Sequence, residues 1–265
     1  MYCFFSVSCF IQDNKFKTIK FVLICFAISI FVITNTYADD TLPGEFEASF
    51  TLLKNKNKVG ELNTSLTKVG KDEYIYKSNS KTTGLISIFY TLKVSEESHW
   101  HVVNNQISSI SYSYHRVKNK KEENLETKFN WEKMQARNIE NNEESLVGLE
   151  TGMLDKLNYQ IQIMRDLKSN KKPVTYTIIN NKKIKIYNFT FLGNEEIETP
   201  LGKFNSLKFL IQKPGDKRKS IIWCADKFDY LPIRVDSIEK DDSITTAIIN
   251  KYTDSSLSDS NNQTY

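Results

Sequence analysis

The sequence has few cysteines for a chain of its length. Four occur in 265 residues, and three of them, Cys3, Cys9 and Cys25, lie in the first 38 residues. If that segment is removed, Cys224 is the single thiol that remains, so no intramolecular disulfide can form. A chain of about 227 residues is long enough to bury a sufficient core without one. The shortage therefore excludes a small domain held together by disulfides.

The sequence also lacks a charge excess and the local motifs of common enzymes. After residue 38 it carries 33 basic and 31 acidic side chains, because the first 38 residues hold three of the 36 basic and one of the 32 acidic ones. This near balance argues against a nucleic-acid partner. The motifs of a nucleophile elbow, a P-loop, a dinucleotide site and a zinc-protease helix are missing. We therefore predict a protein that is not an enzyme and needs no cofactor.

No apolar run in the sequence is long enough to span a membrane. The longest, Phe21–Thr34, has about 14 residues, whereas a spanning helix needs about 20. It follows the basic segment Lys15–Lys20 and precedes Ala38, an order that is typical of a secretory signal peptide. We predict that residues 1–38 are cleaved and that no transmembrane span remains. Retention as an N-terminal anchor is the alternative.

After residue 38 the sequence reads mostly as β-strands. Apolar and polar residues alternate with period two in Phe46–Leu52 and in many later segments, where Tyr, Phe, Ile, Val and Thr are frequent. Phe89–Val103 and Ile107–Val117 are predicted to form a long hairpin around Asn104-Asn105, because asparagine tolerates the left-handed backbone of such a turn.

One helix is predicted among the strands. Apolar residues recur at spacings of three and four in Met153–Leu167, with Thr151 as N-cap and Asp155 in the first turn. An antiparallel sheet of about a dozen strands has open edges unless it curls. We therefore predict a mainly β protein with one large curved antiparallel sheet, a roll or partial barrel, around this internal amphipathic helix; a two-sheet sandwich is the alternative. Residues 39–252 then form one domain, and residues 253–265 a disordered tail.

Two segments are predicted to form strand–turn–strand units. In Ile221–Asp236, alternation places Trp223 and Cys224 on opposite faces, and no basic residue lies near the thiol on its own face. We interpret Cys224 as a small buried hydrophobe. In Thr199–Phe204, a proline and a glycine suit a tight turn, and a bulge near Asn205-Ser206 would bring the next apolar residues onto a common face.

These segments resemble a bacterial envelope family known as domain-of-unknown-function family 3108. Trp223–Val235 is similar to its closing signature, Glu196–Phe204 to its E-x-I-x-T-P-x-G-x-F segment, Phe129–Trp131 to its Phe-Asp-Trp, and Gly152–Leu167 to its helix. The residues that we assign to structural motifs are Thr199, Pro200, Gly202, Phe204, Trp223, Leu231 and Pro232. The resemblance spans about Phe46–Tyr252 and implies an exported, mostly antiparallel β protein of the periplasm, with no reaction assigned.

Aromatic side chains and histidines supply the candidate binding residues. Aromatics form 12% of the chain, and the rings that we assign to a groove are Tyr74, Tyr76, Tyr112, Tyr114 and Trp223. Cross-strand stabilisation is the alternative role for them. His99 and His101 share a strand face and give a candidate metal site, whereas the predicted pairing of His115 with Val94 places it too far away for one ion.

The leading functional hypothesis is a non-catalytic binding or chaperone-like protein for a lipid, an acylated protein or an extended peptide. The strand–turn–Leu-Pro ending at Leu231-Pro232 is also distantly similar to periplasmic lipoprotein carriers, which are curved half-barrels that hold acyl chains; this likeness is an analogy of shape. The first alternative is a structural or interaction protein of the envelope with a filled core. The second is a metal-dependent enzyme that uses His99 and His101. Whether the concave face of the sheet is hollow separates the first two.

Overall fold

Strands make up most of the structure. The computed structural model describes residues 41–255 apart from residue 181, so the predicted signal peptide and the end of the predicted tail lie outside the described residues. The strands are β1 Phe46–Lys54, β2 Asn57–Lys68, β3 Glu73–Thr82, β4 Leu92–Val103, β5 Gln106–Lys118, β6 Lys121–Asn130, β7 Gln135–Glu140, β8 Glu143–Gly148, β9 Leu154–Asp155, β10 Thr175–Asn180, β11 Lys183–Thr199, β12 Gly202–Gln212, β13 Lys219–Ala225, β14 Leu231–Ile238 and β15 Ile244–Asp254. The helices are α1, Ile86–Phe89, and α2, Tyr159–Lys168.

All fifteen strands belong to one sheet, in the order β8-β7-β6-β5-β4-β3-β2-β1-β15-β14-β13-β12-β11-β10-β9. Neighbours are antiparallel except β9 and β10, so the sheet is mixed. Its two edges come close together, because Lys182 before β11 forms ion pairs of 3.2 and 3.4 Å with Glu140 and Glu143 at the β7–β8 turn. In the described part of the chain no ladder joins β8 to β9. The prediction of a large curved sheet that forms a partial barrel is confirmed.

The β4–β5 hairpin confirms the predicted turn and corrects its register. Residues 104–105 both adopt positive φ angles, of 50° and 60°. A β-bulge at His99-Trp100 then shifts the pairing by one residue, so His115 lies opposite Ser95 and not Val94. A bulge adds one residue to one strand, and the alternation of apolar residues does not reveal where that happens.

The predicted helix is only partly correct. α2 begins at Tyr159, and the preceding Leu154–Asp155 form β9 beside β10. The N-cap position belongs to Asn158 and not to Thr151. Asp155 lies in a strand and not in the first helical turn, because its buried carboxylate is held by hydrogen bonds to β4, to β5 and to the start of α2. Tertiary contacts override the helical spacing there.

Several strand boundaries also differ from the predicted ones. Gln135–Glu140 and Glu143–Gly148 form β7 and β8, for which no strands were predicted. β4 begins at Leu92, so Phe89 belongs to α1 and not to the hairpin. β15 continues to Asp254, two residues past the predicted end of the domain. No helix among residues 41–255 is long and apolar enough to cross a membrane.

The TPLGKF segment forms the predicted tight turn. Pro200 and Leu201 connect β11 to β12, and Gly202 has a φ of 126° that favours glycine. The Thr199 hydroxyl accepts a hydrogen bond from the Leu201 N–H and donates one to the Gly202 carbonyl, both at 3.1 Å. The bulge lies between Phe191 and Gly193 on β11 and not at the predicted position on β12.

The curled sheet has two ends, which we name the base and the mouth. The turns β2–β3, β4–β5, β6–β7, β11–β12 and β13–β14 lie at the base, and the remaining hairpin connections lie at the mouth. The base is packed with large apolar side chains: Phe46 and Trp100 from the sheet meet Ile161 and Met164 from α2, and none of the four is more than 1% exposed. The core therefore closes the base and fixes α2 inside the curl.

Candidate functional site

A hollow remains between α2 and the mouth half of the sheet. Its volume is about 350 Å³, and its wall mixes apolar side chains with serines. Its lining includes Leu52, Leu62, Ser78, Ser80, Glu96, Tyr159, Gln160, Ile163, Ile211, Ser220, Ile222, Pro232, Val235, Ser237, Thr245 and Ala247. These residues come from α2 and from eight adjacent strands in the middle of the sheet order, β4 to β1 and β15 to β12, so the hollow lies on the concave face beside the helix. The concave face is filled at the base and open towards the mouth.

A second cavity continues the hollow to the surface. It has a volume of about 500 Å³ and shares Leu52, Ser80 and Thr245 with the hollow. Tyr90 and Leu92, at the end of the β3–β4 connection, line its outer part. Together the two cavities make a continuous concave surface, more apolar near the mouth and more mixed beside α2.

Three hydrogen bonds, two of them to Glu96, involve the polar side chains of the hollow. Glu96 accepts hydrogen bonds from the Tyr112 hydroxyl at 2.5 Å and from the Lys156 ammonium at 2.9 Å. The Tyr76 hydroxyl donates to the Gln160 side chain at 3.2 Å. Burial, and the nearby Glu96 carboxylate for Tyr112, raise the pKa of both tyrosines above the usual range. These tyrosines therefore stay neutral and act as hydrogen-bond donors.

Asp155 is a buried carboxylate beside the hollow whose role is structural. It accepts hydrogen bonds from the hydroxyls of Ser98 and Ser109, at 2.6 and 2.8 Å, and from the N–H groups of Leu157 and Asn158, each at 2.8 Å. Burial raises its pKa, while these hydrogen bonds lower it. Because its contacts join β4 and β5 to the start of α2, Asp155 holds the helix in place.

Basic side chains surround the mouth beside β11 and β12. A shallow cleft of about 660 Å³ is lined by Lys185, Lys213, Lys217, Arg218 and Lys240, with Asp216 as its only acidic residue. Asp216 pairs with Lys213 at 2.7 Å and with Arg218 at 3.0 Å. Burial and neighbouring basic groups, Lys213 first, lower the pKa of Lys185, which has no ion-pair partner among the described residues. This cleft is a favourable place for an anion.

The structure places four of the five predicted aromatic residues on the concave face. Tyr76 and Tyr112 are buried in the core, Tyr74 stacks on Trp100 at 4.5 Å, and Tyr114 lies under the Lys156 ammonium at 4.6 Å. Trp223 lies on the other face, where its indole N–H donates to Glu195 at 3.0 Å and Lys208 and Arg234 lie against its ring. None of the five lines the hollow, although Tyr76 and Tyr112 hydrogen-bond to residues that do.

The histidines are not gathered into one site. His99 Nε2 lies 2.5 Å from Glu73 Oε1, although their directions do not suit a hydrogen bond, and Glu73 lies opposite His101. His115 of β5 lies opposite Ser95 of β4, and Ser95 is four residues away from His99. Within residues 41–255 no group of three or more His, Cys, Asp or Glu side chains is placed to hold a metal ion.

Cys224 lies in the core and not at the surface. The thiol is fully buried beside Ile163 and Leu167 of α2, and burial raises its pKa. A protonated thiol without solvent access is a poor nucleophile. The sequence analysis missed the hollow itself, because small residues such as Ser80 and Ala247 look like ordinary strand residues until the sheet is curled.

Comparison with known proteins agrees with this architecture. A search of curated proteins finds no match. A β-barrel-like protein of domain-of-unknown-function family 1849 from Brucella abortus is similar in fold, with a TM-score of 0.54 and 8% identity over 80% of this chain and 98% of its own. A candidate lipoprotein from Parabacteroides distasonis aligns with a TM-score of 0.34 and 10% identity over 80% of this chain and 97% of its own.

The family model described as "Protein of unknown function (DUF3108)" matches residues 45–248, which include all strands from β1 to β14. The match covers all four segments that carried the resemblance, among them the TPLGKF turn and the strand–turn–strand around Trp223. The chain belongs to the DUF3108 family.

Proposed function

We propose that this protein is a non-catalytic carrier that holds the apolar chain of a lipid or an acylated molecule inside the hollow. The observation that carries the proposal is the hollow between α2 and the mouth half of the sheet, which continues to the surface through the second cavity. Its volume of about 350 Å³ lies within the usual range of small-molecule sites.

The wall chemistry supports an amphiphile. Leu52, Ile163 and Ile222 offer apolar contact to a chain, and each methylene that leaves water contributes about 0.8 kcal/mol. Ser80 and Ser237 have short side chains, so they leave space open inside the hollow. Lys185, which has no ion-pair partner within residues 41–255, and the basic cleft at the mouth suit an acidic or polar head group.

A role without catalysis is part of the same proposal. Asp155 has its hydrogen bonds satisfied, Cys224 is buried, and the histidines lie on separate strand positions. The hollow itself offers only Glu96 as an ionisable acid, and this carboxylate is engaged by Tyr112 and Lys156. Binding by burial needs none of these groups to react.

Export to the periplasm completes the proposal. Its support is the order of a basic segment, a short apolar core and a small residue that ends at Ala38. A carrier in an aqueous compartment needs a chamber that shields an acyl chain, and the curled sheet supplies one.

The alternative of a filled envelope protein finds support only at the base, where large side chains close the core. It predicts that enlarging a side chain in the hollow disturbs packing and not binding. Substitutions of two serines on neighbouring strands, one on the concave face and one on the convex face, distinguish the carrier from the filled envelope protein. Ser80 lines the hollow, and Ser95 is exposed on β4.

The test uses the mature protein and a fluorescent fatty acid, with displacement by unlabelled lipids. We expect Ser80→Phe to weaken binding by about 10-fold or more, because the added ring fills the site, and Ser95→Phe to leave it unchanged. Both variants should show the circular dichroism spectrum of the parent. If the parent binds no acyl probe, or if Ser80→Phe binds as well as Ser95→Phe, the carrier function is wrong. Native mass spectrometry of protein from envelope fractions would identify the natural ligand.

A further inference from the structure

The β3–β4 connection exposes an unusual amount of apolar surface. Leu85 is 82% exposed, Ile88 is 72% exposed and Phe89 is 85% exposed, and the three lie within five residues. Large apolar side chains scattered singly over a surface are normal, but three in one short connection mark an interaction site.

The connection is held in place and does not pack back onto the sheet. At one end the Thr83 N–H donates to the Val59 carbonyl at 3.1 Å, and at the other Thr91 and Asn119 exchange hydrogen bonds of 3.0 Å. Inside it, the hydroxyls of Ser87 and Thr91 bond to backbone carbonyls of the same segment. The apolar side chains are therefore presented on a braced support, which lowers the entropy cost of binding.

The turns that surround this connection are basic. The seven hairpin connections at the mouth carry seven basic and four acidic residues, whereas the five turns at the base carry three basic and four acidic ones. Lys56, Lys120 and Lys182 each occupy a two-residue turn. The cleft around Lys185 adds to the same end. The net charge of the connections is thus +3 at the mouth and −1 at the base.

We propose that the mouth docks onto a membrane surface that contains anionic lipids. Leu85, Ile88 and Phe89 insert among the acyl chains at the level of the head groups, and the turn lysines lie against the phosphates. Apolar insertion together with basic residues is the combination that holds peripheral proteins on anionic bilayers. Charge complementarity favours this occupant over a second copy of the chain, because two mouths of equal charge repel each other.

Docking goes beyond the proposed carrier function, and the two are tested separately. Insertion needs the tip of the connection, whereas ligand binding needs the hollow behind Tyr90 and Leu52. A mouth that faces the bilayer would give an acyl chain a path between membrane and hollow that avoids bulk water.

The experiment is flotation of the mature protein with vesicles of phosphatidylcholine, with or without phosphatidylglycerol. We expect binding to the anionic vesicles that weakens as salt is raised, and little binding to the neutral ones. Combined Leu85→Ser, Ile88→Ser and Phe89→Ser changes should lower the affinity by about 30-fold or more. The matched control changes two exposed apolar residues outside the connection, Leu146→Ser and Val174→Ser, and should bind as the parent does.

A second readout places the connection in the bilayer. A Phe89→Trp variant should show a blue-shifted emission with anionic vesicles, and bromine-labelled lipids should quench it. The Ser80→Phe variant should still float, which separates docking from ligand binding. The proposal is overturned if the parent does not bind anionic vesicles, or if the triple variant binds equally well. It is also overturned if sedimentation shows a dimer that the triple variant converts to monomer, because the connection would then be a contact between copies.

Discussion

The base and the mouth of the curled sheet are built from the same strands, but the base is packed with large side chains and the mouth half encloses a cavity. At the base, Trp100 and Phe46 pack against α2 with almost no exposure, and Arg165 reinforces them through a hydrogen bond of 3.0 Å to the Asn105 carbonyl. At the mouth, serines face a hollow and the connections carry net positive charge. One end of the sheet is therefore closed by packed side chains, whereas the other encloses open space.

The largest expected effect is on the stability of the base. Trp100→Ala should lower the free energy of unfolding by about 3–5 kcal/mol, because it removes a fully buried indole from the packed core. Leu62→Ala should cost only about 1 kcal/mol, because Leu62 borders space that is already empty. Urea unfolding monitored by circular dichroism measures both. Equal costs would show that the two ends share the stability evenly.

The next largest effect on stability is expected at Asp155, which joins β4 and β5 to the start of α2. Asp155→Asn should destabilise the protein by about 2 kcal/mol, because both oxygens of Asp155 accept hydrogen bonds and an amide nitrogen in place of one of them cannot. Since burial raises the pKa of Asp155, the folded state keeps its proton at pH values where the unfolded chain has released it. The stability that this group contributes is therefore complete below the unfolded pKa and is lost as the pH rises through the folded one.

The pH dependence of the Asp155→Asn effect shows whether burial, which raises the pKa of Asp155, outweighs the hydrogen bonds, which lower it. The stability advantage of the parent over the variant should shrink as the pH rises above about 4, the pKa of Asp in an unfolded chain, as read from urea unfolding at each pH. If the advantage grows instead, the four hydrogen bonds outweigh burial and the pKa lies below its usual value.

A smaller effect on stability is expected from Gly→Ala substitutions in the turns, and it should differ between the base and the mouth. Gly202→Ala at the base should cost about 2 kcal/mol, because a φ of 126° is open to glycine and closed to other residues. Gly84→Ala at the mouth should cost about 1 kcal/mol, because a φ of 70° lies in the left-handed region that other residues reach with less strain. Thermal unfolding of the two variants gives the comparison, and a lower midpoint for Gly84→Ala would contradict it.

The smallest effect is confined to the surface of the mouth. Asp216→Asn should tighten binding to anionic vesicles by about 5-fold, because it removes the acidic residue of the basic cleft. Hydrogen bonds from Arg218 and Lys213 hold the pKa of Asp216 well below its usual value, so the gain should be the same from pH 5 to pH 8. Asp72→Asn in a turn at the base is the control, and an equal gain there would mean that the direction of docking is wrong.

Much of the fold can be predicted from local chemistry. The Asn104-Asn105 turn, the opposite faces of Trp223 and Cys224, and the tight turn at Pro200 follow from rules that act within a few residues. The curl follows from the number of strands, since a broad antiparallel sheet must deal with its edges.

What could not be predicted depends on contacts between distant residues. Leu154 and Leu157 have helical spacing, but the hydrogen bonds of Asp155 to Ser98 and Ser109 hold the segment outside the helix. Phe89 was predicted to begin a strand, whereas it ends α1 and is 85% exposed. The hollow leaves no pattern, because it is the space between side chains that come from α2 and from eight different strands.

The two edge strands, β8 and β9, meet at a seam where the curled sheet is not closed by strand pairing within residues 41–255. Every other neighbouring pair of strands is fastened by a ladder of backbone hydrogen bonds, whereas the seam is crossed near the mouth by the ion pairs of Lys182 with Glu140 and Glu143. Such exposed pairs are each worth less than about 1 kcal/mol. A change of circumference near the mouth therefore breaks no strand pairing at this seam, and the proposed carrier function predicts that acyl chains of different girth bind.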